Sequence, residues 1–384
     1  MPATPFDELE AALAKGGADA VLDRLVEQLR GEQKYHEMFD AMLMRSRRRL
    51  GLPAVLTKSI EELEEPLRGQ VEEAYLAACR EVGGLLLADK KYREAWMYLR
   101  PTGDKSTMAA ALSKAEPDDD NLQDLIEIGL HEGVAPAWGY RLVLENFGTC
   151  NAITTYDGVI SGRPKPDQQA ASAMLVRHLH ADLTGSLQTD IERQEGSPPP
   201  EKTLKELVAD RDWLFGENNY HIDTTHLASI VRFARIVEEP DVLRLALDLT
   251  EYGRRLSHQF QFAGDEPFVD LYPTHALFFS ALLGDRVEEA VKFFSERAAA
   301  VDRDEQGTLA AETYIALLTR LGRHGEALAA GLEMLPPGTR STGLAPSLFE
   351  LSRMAGDYQR LKAACRERED LLGFTAGLIE QGAK

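Results

Sequence analysis

The sequence has few cysteines and no long apolar stretch. Its three cysteines, Cys79, Cys150 and Cys365, are far apart, and none belongs to a CxxC motif. This usage is expected in a reducing compartment and predicts no disulfide framework. The longest apolar stretches, near 85–87 and 276–283, are far shorter than the roughly 20 residues that cross a bilayer, and the N-terminus lacks the pattern of a secretory signal. We therefore expect a cytoplasmic protein.

Positive charge is also scarce. Lys and Arg number 43 against 63 Asp and Glu, which gives a formal net charge of −20. Such a field repels phosphate backbones and anionic lipid surfaces, so neither nucleic acid nor a membrane is expected as a partner. Hydrophobic residues make up 44% of the 384 residues, which is ordinary for a folded globular protein and too apolar for a disordered one.

Signals for β-structure and for phosphate binding are missing as well. Alternation of apolar and polar residues is almost absent, so no sheet is expected. No GxxxxGK[ST] or GxGxxG motif occurs, which excludes the common glycine-rich phosphate cradles. Apolar residues recur instead at helical spacing, as at Val21, Leu22, Leu25 and Leu29. The predicted fold class is all-α. Helices are expected at about 122–132, 136–147, 167–194, 202–210, 224–236 and 241–260, with four or five more from about 273.

A glycine turn followed by a helix start recurs in the C-terminal part. It is present at 284–290, 322–327 and 356–361, and the matching helix-start residues are 37 and 34 positions apart. A looser copy lies at 91–96 near the other end. A period near 34 is the length of a helix–turn–helix unit of tetratricopeptide type.

Through these segments the sequence resembles the tetratricopeptide-repeat-like (TPR-like) superfamily, and the resemblance covers about a third of the chain. The resemblance is clearest at 322–327 and 356–361. It implies an α-solenoid, a right-handed stack of helical hairpins whose inner surface binds peptides or other proteins.

Composition divides the chain into three regions. We expect N-terminal helical repeats over 1–147, a histidine-rich middle over 148–275 and TPR-like hairpins over 276–384. The middle begins with a predicted loop of 19 residues, 148–166, which is long for a compact domain and therefore a candidate for function or motion. A second interruption, 196–200, is predicted to be an exposed, semi-rigid linker because it contains three consecutive prolines.

Polar side chains cluster in the predicted loop. Asn151, Thr154, Tyr156 and Asp157 are candidate ligand-binding residues, although Thr and Asn also commonly tie down irregular backbone. Cys150 is a candidate nucleophile, because a cysteine beside an imidazolium or a helix terminus becomes a thiolate. The same cysteine also fits an inert, buried position.

Six of the nine histidines lie between residues 178 and 275. Neutral imidazole is the usual ligand of zinc, iron or copper and the commonest acid or base near pH 7. A site for a divalent transition metal such as zinc or iron is therefore one hypothesis, although no HExxH motif is present. The candidate ligands are His178, His180, His221, His226 and His275.

The run from 217 to 227 carries the strongest local pattern. Asp223 is the expected N-cap of a helix, which places His226 in the first turn and His221 on the entering loop. A helix N-terminus disfavours a positive imidazolium, so His226 is expected to be neutral. Asp223 and Tyr220 are candidate catalytic residues for proton transfer, and capping alone is a sufficient explanation for Asp223.

The sequence supports two functions. The leading hypothesis is a cytoplasmic helical-repeat protein that binds another protein, a peptide or a small ligand on its concave surface. The alternative is a metal-dependent enzyme, a hydrolase or lyase, whose histidine-lined site is covered by the loop 148–166. The first predicts a groove shared by successive repeats, and the second predicts a closed pocket in which the middle histidines face one another.

Overall fold

The computed structural model describes residues 4–55, 60–301, 307–335 and 343–382. Helices account for 75% of it, and the described residues form 18 α-helices and no strand. An isolated antiparallel bridge joins Ala263 and Asp270. The predicted all-α class is therefore confirmed.

Residues 1–145 form one compact unit. Its helices are α1 (Pro5–Gly31), α2 (Tyr35–Arg49), α3 (Leu67–Ala88), α4 (Tyr92–Leu99), α5 (Lys105–Leu112), α6 (Leu122–Ile126) and the first part of α7 (Pro136–Gly158). From α1 to α4, each helix packs on the next one along the chain. Glu127–His131, directly after α6, is a π-helix.

Residues 146–384 form the second compact unit. Its helices after α7 are α8 (Lys165–Glu195), α9 (Leu204–Ala209), α10 (Thr224–Phe233), α11 (Pro240–Arg255), α12 (Leu271–Leu282), α13 (Val287–Ala300), α14 (Leu309–Arg320), α15 (His324–Met334), α16 (Leu348–Ala355), α17 (Tyr358–Glu367) and α18 (Leu371–Gly382). The long α8 packs on α10 and α11, and from α11 onward each helix packs on its successor.

The same turn geometry connects two neighbouring helices at six places in the chain. In each turn a residue with positive φ ends the first helix, and the next N–H donates to a carbonyl five residues earlier at 2.8–3.0 Å. This hydrogen bond satisfies a carbonyl that the helix end would otherwise leave without a partner. The predicted glycine turns are therefore confirmed. The positive-φ residues are Gln33, Lys90, Gly284, Gly322, Gly356 and Glu369.

Aromatic residues follow three of these turns. Tyr35, Tyr92 and Tyr358 are the first residues of α2, α4 and α17, and all three are buried. A hydrophobic contact next to the turn commonly accompanies this kind of helix end. The turn and the tyrosine together form a short repeated unit, which also occurs at Gln33, where no glycine is present.

The predicted loop over 148–166 is wrong. Helix α7 continues to Gly158, a short 3₁₀ turn covers Ile160–Gly162, and α8 begins at Lys165. Gly148, at φ 78° and ψ 179°, is a single non-helical residue inside α7. Glycine adopts this conformation without strain. Helix α7 is therefore kinked at Gly148 and continues after it. The predicted linker does lie between helices, at 196–203.

Length and apolar character determine whether a helix can cross a membrane. The longest helix, α8, has 31 residues and carries charged side chains on most of its turns. Within the described ranges, no helix combines the length and the apolar character that a membrane crossing needs.

Close contact between α3 and α4 depends on a missing side chain. A Cβ added at buried Gly83 would lie 2.7 Å from Leu99 Cγ, whereas a Cβ at the neighbouring Gly84 would meet nothing within 4 Å. Leu99 is 1% exposed, so it has no free space into which to move. The two adjacent glycines therefore have opposite roles in the same helix.

We predict opposite effects for alanine at these two positions. Gly84→Ala raises the free energy of unfolding by about 0.5–1 kcal/mol, because alanine favours the helix. Gly83→Ala lowers it by about 1–2 kcal/mol, because overpacking against Leu99 exceeds the same helix gain. Urea unfolding of both variants measures the difference. Equal stabilisation by the two substitutions would contradict the packing of α3 on α4.

Candidate functional site

A polar groove runs along the C-terminal half of α8. Its volume is about 850 Å³. One wall and the floor belong to α8, and the other wall is the segment 218–222 before α10. We call it the α8 groove. The lining residues are Ala181, Asp182, Gly185, Ser186, Thr189, Asp190, Arg193, Asn218, Asn219, Tyr220, His221 and Ile222.

Helical spacing puts the floor residues on one face of α8. Positions 181, 185 and 189, and positions 182, 186, 190 and 193, follow rows spaced by three or four residues, which lie above one another on a helix. Alanine, glycine, serine and threonine in these rows keep the floor low. A Cβ added at Gly185 would meet nothing within 4 Å, so the groove is open above this residue.

His221 connects the groove to the helical core. Its backbone N–H donates to the Tyr252 hydroxyl oxygen at 3.0 Å, and its ring Nδ1 lies 3.1 Å from the same oxygen. Ring Nε2 lies 3.2 Å from Asp190 Oδ2. The two ring nitrogens of His221 therefore contact the Tyr252 hydroxyl and the Asp190 carboxylate, one each.

Burial decreases from Tyr252 to Asp190 along these contacts. Tyr252 is 1% exposed, and desolvation raises its pKa to about 12, so the hydroxyl keeps its proton at neutral pH. The His221 side chain is 7% exposed and Asp190 is 30% exposed. Asp190 also lies 3.4 Å from Arg193. Of Tyr252, His221 and Asp190, Asp190 is therefore the residue that a ligand in the groove can contact most easily.

Further contacts hold the second wall in place. Asn219 Nδ2 donates to the Trp213 carbonyl at 3.1 Å. Gln259 Nε2 donates to the Glu217 carbonyl and lies 3.3 Å from Asn218 Oδ1. The exposed ring of Tyr220 packs edge-on against Phe260, with ring centroids 5.0 Å apart. The predicted catalytic candidate Tyr220 therefore lies at the groove, where its ring contacts the ring of Phe260.

Asp223 is the N-cap of α10. Its carboxylate accepts from the backbone N–H groups of Thr225 and His226 and from the Thr225 hydroxyl, at 2.6–3.2 Å. These bonds, chiefly the one from the Thr225 hydroxyl, lower the pKa of Asp223. The predicted cap is confirmed, and all three of these bonds go to Oδ1. His226 lies in the first turn of α10, as predicted.

His178 and His180 point to different partners from α8. His178 Nε2 lies 3.1 Å from Thr149 Oγ1 and 3.2 Å from Asp182 Oδ2. A nucleophile–histidine–carboxylate relay uses both ring nitrogens, one for each partner, whereas here a single nitrogen faces both. His180 Nε2 lies 3.3 Å from Asp248 on α11. Neither histidine contacts His221.

His275 is fully buried in an aromatic cluster on α12. Its Nδ1–H donates to the Leu271 carbonyl at 2.6 Å, and its ring stacks on Phe268 with centroids 4.0 Å apart. Its Nε2 has no hydrogen-bond partner among the described residues. Burial, together with the nearby charge of Arg235, lowers the pKa of His275 to about 3. This histidine is a neutral core residue.

The structure does not bring the five candidate metal ligands together. His178, His180, His221 and His275 each have separate partners. In the described part of the chain, no group of three or more His, Cys, Asp or Glu side chains is placed to hold a metal ion. The predicted closed pocket of facing histidines is therefore not formed by these residues.

The candidates in the predicted loop lie on α7. Asn151 Nδ2 donates to the Phe147 carbonyl at 2.8 Å and Thr154 Oγ1 donates to the Cys150 carbonyl at 3.1 Å, both within the helix. Tyr156 is buried and stacks on Phe233.

Burial also raises the pKa of Tyr156, whereas Cys150 and Asp157 are exposed. Cys150 is exposed, so the expected buried position is wrong for it. No hydrogen bond joins Cys150 to a described histidine, as a nucleophile would require. These positions form a helix rather than a binding loop.

The sequence predicted two residues of the 218–222 wall and none of the α8 residues that form the floor. Tyr220 and His221 were candidates, whereas Gly185, Ser186 and Asp190 were not. Small and polar residues at spacings of three and four along one face of a long helix were the available signal. The partnership of His221 with Tyr252 spans 31 residues and has no local pattern.

No family model, curated protein or solved structure matches the chain. The TPR-like resemblance therefore stays a prediction, and function has to be inferred from the geometry.

Buried His275 predicts acid sensitivity. The unfolded chain takes up a proton at this residue below about pH 6.5, whereas the folded chain does so only near pH 3. Its contribution to stability is thus complete above pH 6.5 and is lost as the pH falls, by about 1.4 kcal/mol per pH unit. His275→Asn keeps a donor near Nδ1 and does not titrate. Urea unfolding from pH 7.5 to 5.5 should show a steeper loss for the wild type, and parallel losses would contradict the buried, neutral ring.

Proposed function

We propose that this chain is a cytoplasmic helical-repeat protein of TPR-like type, an α-solenoid of stacked hairpins, and that it binds an extended basic peptide in the α8 groove. The observation that carries the proposal is the groove itself, which is polar, about 850 Å³ in volume and floored by small side chains on one helix face.

The recurring turn supports the repeat architecture. The same hydrogen bond and positive-φ residue occur in six turns between neighbouring helices, and consecutive helices from α1 to α4 and from α11 to α18 pack in chain order. Helical hairpins that pack on their sequence neighbours are the units of repeat proteins. Three free cysteines, two of them buried, fit the proposed reducing location.

The walls of the groove offer hydrogen bonds that match a peptide backbone. Asn219 uses its Nδ2 for Trp213, which leaves its Oδ1 as an acceptor. Asn218 uses its Oδ1 for Gln259, which leaves its Nδ2 as a donor. A peptide unit presents one N–H and one carbonyl, which pair with such groups. Pockets for small drug-like molecules are mostly apolar, so this lining favours a peptide.

Charge and spacing favour basic side chains on that peptide. Asp182 is 52% exposed, Asp190 is 30% exposed, and the whole chain carries a formal charge of −20. Eight residues of helix separate the two carboxylates by about 12 Å along the axis of α8. An extended chain advances about 3.3 Å per residue. Lys or Arg residues four positions apart would therefore reach both carboxylates.

An array of ten-residue peptides tests this function. One set carries two Arg residues four positions apart, a second set has the same compositions scrambled, and a third replaces Arg by Glu. We expect the full-length wild type to prefer the first set. Gly185→Leu should fill the floor and weaken binding by about tenfold or more, because a side chain at this position projects into open space.

Gly84→Leu is the matched control, since Gly84 is also a helical, exposed glycine with no atom within 4 Å of an added Cβ. It should bind peptides as the wild type does. Equal binding by the Gly185→Leu and Gly84→Leu variants, or equal binding of the Arg and Glu sets, would contradict peptide binding in the α8 groove.

A further inference from the structure

A second groove lies within residues 1–145, between α4 and the segment formed by α6 and the π-helix. Its volume is about 660 Å³. We call it the α4 groove. The side of α4 and the following 3₁₀ turn contributes Arg93, Trp96, Met97, Arg100 and Pro101, and the other side contributes Gln123, Asp124, Glu127, Ile128 and Glu132.

Opposite charges face each other across the α4 groove. Arg93 Nη1 lies 3.5 Å from Asp124 Oδ1, and Arg100 Nη1 lies 3.1 Å from Glu132 Oε1. Each of these contacts uses one of the five N–H donors of a guanidinium, so donors remain on both arginines. Glu127 is exposed and forms no ion pair with any residue in the described ranges.

An apolar surface lies between these charges. Met97 is 65% exposed, and Ile128 and Pro101 line the same groove. Trp96 is 7% exposed, and its indole N–H has no hydrogen-bond acceptor within the described part of the chain. A buried donor without a partner is rare in folded proteins, and this nitrogen lies beneath the surface of the groove.

The π-helix holds the acidic side of the groove rigidly. Its bond from Glu132 N–H to the Glu127 carbonyl, at 2.9 Å, closes a five-residue turn. Helix α7 packs directly on this segment, because a Cβ added at Gly139 would lie 2.6 Å from Leu130 N. Single π-turns are frequent at functional sites, where they place side chains that a regular helix would rotate away. Here the turn begins at Glu127 and Ile128, both of which line the groove.

We propose that the α4 groove binds a small zwitterion with an apolar side chain, the chemistry of a free apolar amino acid or of the termini of a short apolar peptide. Glu127 pairs with the ammonium group. The remaining N–H groups of Arg93 and Arg100 donate to the carboxylate. The side chain packs on Met97 and Ile128. The proposal is independent of peptide binding in the α8 groove.

Calorimetric titration of the full-length protein with L-leucine tests the proposal. N-acetyl-L-leucine lacks the ammonium charge and L-leucinamide lacks the carboxylate, so each should bind about tenfold more weakly or worse. Leu-Leu is the second source of the same chemistry. Tighter binding of Leu-Leu assigns the site to peptide termini, and tighter binding of L-leucine assigns it to the free amino acid; either supports the proposal.

Two substitutions locate the site. Glu127→Gln changes an exposed side chain, so the fold is kept. It should weaken L-leucine about tenfold while leaving N-acetyl-L-leucine unchanged. Glu37→Gln, at an exposed position on α2, is the control and should have no effect. Trp96→Phe should remove any change of tryptophan fluorescence on binding.

Three results would overturn the proposal. They are no heat with L-leucine or Leu-Leu at about 10 mM ligand, equal affinity for L-leucine and its two derivatives, and equal affinity of the Glu127→Gln and Glu37→Gln variants for L-leucine.

Discussion

The hydrogen bond from the residue after each turn back to a carbonyl five residues earlier sets the direction in which the next helix leaves. It requires a residue with positive φ, found at Lys90 and Gly322 among others, and it satisfies a carbonyl at the helix end. Because the turn is short, the second helix must run back along the first. The packing of α3 on α4 at Gly83 and the burial of Tyr92 both depend on this return.

Both grooves use this rigid helical background in the same way. A regular helix supplies one side, α8 in one unit and α4 in the other, and a backbone that departs from the α-helix supplies the opposite side. The segment 218–222 is held by Tyr252, and the π-helix is held by Gly139 on α7. Loops and irregular turns present polar side chains at angles that a straight helix does not reach, while the scaffold beneath them keeps the side chains in place.

Caps and turns could be predicted from the sequence, because they depend only on neighbouring residues. Asp223 caps α10 through neighbouring N–H groups, and Gly284 ends α12, so both could be predicted from short patterns. The segment after Gly148 could not, because its Gly, Asn and Thr residues favour loops while Tyr156 gains a stacked partner in distant Phe233. The grouping of the histidines could not be predicted for the same reason, because their spacing in sequence does not determine which helix faces they share. Aromatic packing around His275 also removes this residue from solvent.

Three of the six turns place Gln33, Lys90 and Glu369, rather than glycine, at positive φ. A side chain there costs roughly 1–2 kcal/mol relative to glycine, and all three residues are exposed. Replacement by glycine disturbs no packed neighbour, whereas the reverse change at Gly284, Gly322 or Gly356 introduces strain. The first three turns therefore tolerate a wider range of residues than the three glycine turns, although all six share one backbone geometry.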